Sequence, residues 1–149
     1  MVSSARLNAR FVTLRETSEA DGDEVEVEVA RRGGVRYLRL VIGVPGYHRG
    51  RLATFEYEEK FSRSARGWRL FGYQYELRFD PAPSGRWAEH WHDDDFHRHC
   101  EPASGPHADH YPSRPIQLFD ARDELLRRYA LGRDALTCSD GDPGQARAR

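Results

Sequence analysis

The segment Glu24-Val25-Glu26-Val27-Glu28-Val29 alternates acidic and β-branched residues without a break. Strand side chains repeat every two residues, so the pattern puts three valines on one face and three carboxylates on the other. Such a strand is half buried, and the runs that follow have the same character. Beyond Arg31-Arg32-Gly33-Gly34, a turn, the run from Val35 to Val44 is rich in β-branched and aromatic residues and stops at Gly43-Val44-Pro45-Gly46. The segments Gly50 to Arg63 and Gly67 to Asp80 flank Ser62-Arg63-Ser64-Ala65-Arg66-Gly67 and read as a long antiparallel pair. In the second of these, Tyr73, Tyr75, Leu77 and Phe79 share one parity, while Gln74, Glu76, Arg78 and Asp80 share the other. Arg78 and Asp80 therefore point away from the core and form a candidate site wall.

Pro81-Ala82-Pro83-Ser84-Gly85 breaks that strand, and Arg86 to His92 reads as a short one, with Trp87, Glu89 and Trp91 opposite His90 and His92. Upstream, Phe11 and Thr13 alternate with Val12 and Leu14 before the turn Asp21-Gly22-Asp23, which predicts a hairpin. From Asp93 to Pro115 periodicity is weak and four prolines occur, which predicts a long histidine-rich loop. Asp120 is the expected cap of a helix reaching about Leu131, with Ala121, Leu125, Leu126 and Tyr129 as its buried stripe and Gly132 at its stop. The expected fold is α+β: a mostly antiparallel sheet of about five or six strands with one C-terminal helix packed on it. Residues 1–132 make one domain, and 133–149 read as a disordered tail.

A chain of 149 residues with 17 aromatics has enough apolar mass for a single core. The net charge of −1 gives no global polycation, which argues against a histone-like or polybasic membrane partner. The longest uninterrupted apolar run, Leu40-Val41-Ile42-Gly43-Val44, falls far short of the ~20 residues a membrane span needs, and Met1 to Arg10 lacks an apolar signal core. A soluble cytoplasmic protein is expected. Cys100 and Cys138 lie in dissimilar surroundings, so no disulfide framework is expected.

Six of the seven histidines, His90, His92, His97, His99, His107 and His110, fall within 21 residues, beside Asp93, Asp94, Asp95, Cys100, Glu101 and Asp109. Imidazole titrates near neutrality, so a pair beside a phosphodiester could act as general base and general acid without a cofactor. The same groups are ligands for zinc or nickel. On that alternative reading His97, His99, Cys100, His107 and His110 supply enough donors for a tetrahedral site, with His90 and His92 nearby. A third reading is a noncatalytic interaction protein of mobile-element or phage origin, in which the loop orders on a partner.

The series Tyr73-Gln74-Tyr75-Glu76-Leu77-Arg78-Phe79-Asp80-Pro81-Ala82-Pro83, then Phe96-His97-Arg98-His99, then Pro115 leading into the helix from Asp120 to Tyr129, resembles the toxin of TumE-type toxin–antitoxin systems. The resemblance covers about Tyr73 to Leu131, under half the chain. Pro81 stands where the family has Asn, and Ser84-Gly85 stand where it has paired histidines, so the resemblance implies either a divergent member or one whose histidines have moved to His90 and His92. The resemblance implies a small cytoplasmic toxin that cuts RNA and is held inactive by a cognate antitoxin. In-line attack by a 2′-hydroxyl needs a base, an acid and a cation. His97 and His99 would transfer protons, Arg98 and Arg78 would supply the cation, and Asp80 would orient one of these groups.

Overall fold

The structure, a computed structural model, describes residues 4–46, 51–80 and 85–138. Helix α1 (Ser4–Ala20) precedes seven strands: β1 (Glu24–Arg32), β2 (Val35–Pro45), β3 (Arg51–Ser64), β4 (Gly67–Phe79), β5 (Arg86–His92), β6 (Asp95–Glu101) and β7 (Ala108–Pro112). Helix α2 (Leu118–Leu131) and a 3-10 turn (Arg133–Ala135) follow. The strands form one sheet in chain order, each antiparallel to the next.

Register divides the sheet into two chemically distinct faces. Val27, Leu40, Tyr57, Tyr75, Glu89, Arg98 and Tyr111 lie side by side on one. Both helices cover this face, α1 over β1 and β2, α2 over β3 and β4. Its centre is the core, where Leu40, Tyr57, Tyr75, Leu77, Trp87, Leu118 and Leu125 are buried. Among the described residues no helix lies on the other face, and a row across it reads Glu28, Arg39, Glu58, Gln74, His90, His97.

Two carboxylates are buried on the helix-covered face. Glu59 is fully buried, receives both Arg10 guanidinium nitrogens at 2.9 and 3.1 Å, and accepts the Tyr75 hydroxyl at 2.6 Å. Burial pushes its carboxyl up, against the opposing pull of Arg10. Glu89 is likewise buried and pairs with Arg98.

The antiparallel α+β class, the strands from Glu24 to Phe79 and the short strand over Arg86–His92 agree with the sequence reading. Five expectations are corrected. The N-terminal segment is a helix, because its buried residues Phe11, Leu14 and Ser18 fall at helical spacing on one face. The predicted loop after Asp93 holds two further strands, which makes seven among the described residues in place of five or six. Asp93 and Asp94 have φ of 50° and 62° and join β5 to β6 as a two-residue turn of the I′ kind, a backbone that aspartate tolerates without glycine. Helix α2 starts at Leu118, with Asp120 inside its first turn, and Arg128 takes the buried place expected of Leu126, which is 39% exposed.

The fourth correction concerns the tail. Residues 133–138 fold back on the domain: Leu136 is fully buried, and the Arg128 guanidinium donates to the carbonyls of Ala135 and Thr137 at 3.1 and 3.0 Å. Cys138 is disulfide-bonded to Cys100, their Cα atoms 5.6 Å apart, contrary to the expectation of two unrelated cysteines. His48, the Pro81–Ser84 breaker and residues 139–149 lie outside the described residues.

Candidate metal centre

The helix-free face collects its histidines at the β5–β7 end. Alternation sends His90 and His92 to this side of β5, and His97 and His99 to this side of β6. His90 sits directly across from His97. On β7 the register slips, with Tyr111 opposite Arg98 and Ala108 opposite Cys100. Two residues, Asp109 and His110, thus share the span opposite His99, which is a β-bulge. The bulge turns both toward the cluster, and His110 adopts φ of 51° to do so. Left-handed backbone at a non-glycine residue costs on the order of 1 kcal/mol, a strain of the sort found at functional sites.

His97 lies at the centre. Its ring stacks on His110 with centroids 4.2 Å apart, and His92, His99 and His90 surround it at 5.0, 5.0 and 5.3 Å. It is 1% exposed, although no described helix covers this face. Neither of its ring nitrogens makes a hydrogen bond among the described residues; the Asp95 carboxylate approaches Nδ1 to 3.0 Å but is misaligned. Among the described residues the buried Nε2 of His90 is also without a hydrogen-bond partner.

Carboxylates stand behind the rings. Asp109 Oδ1 is 2.6 Å from His99 Nδ1, and Asp95 Oδ2 is 3.7 Å from His110 Nδ1. The His99 hydrogen bond holds the Asp109 carboxyl below its usual range. Burial, with His99 and Arg86 adding like charge, drives His90 down to about 3. Burial and then His110 lower His97 as well. Both shifts favour the neutral ring, which keeps a lone pair available for a ligand bond.

Two triads, His90-His92-His97 and His97-His99-His110, have ligand atoms within 4.8 Å of one another. Two nitrogens on one tetrahedral ion with bonds of ~2.05 Å stand about 3.3 Å apart, so each ring has under ~1 Å to move. The His97-His99-His110 triad has carboxylates set behind its rings, the arrangement that fixes tautomers around bound zinc.

Of the expected site residues, His90, His92, His97 and His99 come together. Arg98 does not, because it occupies the helix-covered face against Glu89. Arg78 is on the histidine face but is bound to Glu76, and Asp80 accepts the Thr54 hydroxyl at 2.9 Å. Burial alone would raise the Glu76 carboxyl, but hydrogen bonds from Arg86 and Arg78 outweigh it and lower it. Among the expected metal ligands, Cys100 points to the core side in its disulfide, and His107 is exposed and outside both triads. Asp95 and Asp109 entered the sequence reading only as neighbours of the histidines, and Arg86 only as the start of a strand; alternation from His97 would have given Asp95 its place, while Asp109 reaches the site only through the bulge. No protein-family model matches the chain, and no curated protein or solved structure shows significant similarity to it.

Proposed function

We propose that this protein binds a late divalent transition metal, zinc foremost, through His97, His99 and His110, with Asp95 and Asp109 behind the ligands. The observation that carries this reading is His97: a buried imidazole with two unpartnered nitrogens, ringed by four others. A buried polar group left without a partner costs about 1–3 kcal/mol, which a metal bond would relieve. Electrostatics points the same way. Asp93, Asp94, Asp95 and Asp109 are all exposed around the cluster, a setting that attracts a cation and repels a polyanion. Three ligands leave a fourth position on a tetrahedral ion for water or substrate. In a reducing cytoplasm the Cys100–Cys138 bond would open, but Cys100 faces away from the histidines, so the metal reading does not depend on it.

Acid–base cleavage of RNA, with a cognate antitoxin as partner, is the second reading. It draws support from Arg86, which shares the histidine face of β5 and lies near enough to His90 to disfavour its protonation. Arg86, which is held by Glu76 at 2.9 Å and Glu101 at 3.3 Å, would then be the cation in place of Arg98 and would have to exchange one of these carboxylates for phosphate. One experiment separates the two. Tag-free protein is loaded with zinc, dialysed and analysed for metal, and the stripped protein is incubated with total RNA in chelator. The metal reading expects about one zinc per chain and intact RNA. No retained metal together with RNA cleavage in chelator would assign the face to the nuclease.

A further inference from the structure

β1 is an outermost strand, and among the described residues nothing pairs with its outer edge. An unpaired row of N–H and C=O groups is a template for another strand. Two features of the edge specify which strand would fit.

The first is apolar. Val27 and Val29 lie on the face that the helices cover, yet they are 47% and 55% exposed. With Asn8, Phe11, Val12 and Arg15 of α1 they line an open groove beside the edge. The sheet is one strand too narrow to bury its own valines.

The second is charge. Glu26 and Glu28 occupy the first part of the strand, and Arg31 and Arg32 end it. A parallel copy would set like charges abreast. An antiparallel copy centred on Val29 sets Glu26 opposite the partner's Arg32, twice by symmetry, and Val29 opposite the partner's Val29. Glu28 then faces the partner's Ala30, so no carboxylate meets a carboxylate. Because this register preserves parity, the valines of both copies stay on the helix side and the glutamates on the open side.

We infer that this protein self-associates through antiparallel pairing of two β1 edges, extending the sheet across a two-fold axis with one α1 on each side of the joined valines. The histidine cluster is at the far end of the sheet and stays open in such a dimer.

The test is sedimentation of tag-free full-length protein over a wide concentration range, in chelator to prevent bridging through the histidines. The wild-type chain is expected to dimerise. Glu26→Arg alone and Arg32→Glu alone each place like charges opposite and should weaken dimerisation roughly tenfold or more. An equimolar mixture of the two variants regains two opposite-charge pairs and should dimerise again. Val29→Lys should give a folded monomer by circular dichroism. A wild-type chain that stays monomeric, a dimer indifferent to all three substitutions, or a mixture that fails to recover would each overturn the inference.

Discussion

Alanine in place of His97 is expected to weaken zinc binding by roughly 100-fold or more, measured by competition with a chromophoric chelator. His97 belongs to both triads, so its loss dismantles each of them. Even a change behind a ligand costs about 10–100-fold in affinity, and removal of a ligand costs more. Asp109→Asn, which alters the group holding His99, should fall within that 10–100-fold range. His107→Ala serves as the control: the residue is exposed and outside the triads, and its affinity should match wild type. Equal loss at His107 and His97 would mean that the histidines act as a diffuse chelating surface and not as a built site.

Trp87→Ala should be the most damaging single change to the fold. Trp87 is fully buried on the core side of β5, where the Arg128 guanidinium lies 4.5 Å from its ring and that of Arg98 lies 5.5 Å away. Truncating a buried tryptophan costs about 3–5 kcal/mol in transfer and cavity terms. Here it also strips a cation–π partner from two buried guanidiniums, each of which has a further task. Arg98 neutralises Glu89, and Arg128 ties down the segment that carries Cys138. With a urea dependence of about 2 kcal/mol per molar, the unfolding midpoint should drop by roughly 2 M. A shift under about 0.5 M would show that the interior of β5 is not where this sheet's stability lies.

Alternation made the sheet readable wherever one parity was apolar. The valines of β1 and the Tyr73-Tyr75-Leu77-Phe79 series of β4 declared their faces directly. β6 has the same period, but its inward series is Phe96, Arg98 and Cys100, and the buried guanidinium in the middle disguised the strand as loop. Tertiary partners, Glu89 and the Trp87 ring among them, make Arg98 an inward residue, and no local pattern reports them. The turn before β6 was hidden for a related reason, since Asp93 and Asp94 hold a backbone usually announced by glycine. α1 was missed because alternation over Phe11–Leu14 satisfies the strand template as readily as spacing of three and seven satisfies the helix template.

The histidine cluster itself was legible as composition, and its membership was not. Parity assigns His90, His92, His97 and His99 to one face once β5 and β6 are paired. Cys100, adjacent to His99 in sequence, is then excluded by the same parity. His110 and Asp109 enter because β7 carries a bulge opposite His99, a feature set by backbone geometry and marked in sequence by nothing more than polar residues.

X-ray absorption at the zinc edge of loaded, tag-free protein reads the ligand set of the histidine cluster itself. The account predicts a first shell of three or four nitrogen or oxygen atoms at ~2.0–2.1 Å, with the outer-shell pattern of three imidazoles and no sulfur. A sulfur shell at ~2.3 Å would contradict it by drawing Cys100 or Cys138 into the site. A spectrum of zinc bound to water and carboxylates alone would contradict it as well, because it would leave His97 buried among imidazoles with no metal to account for it.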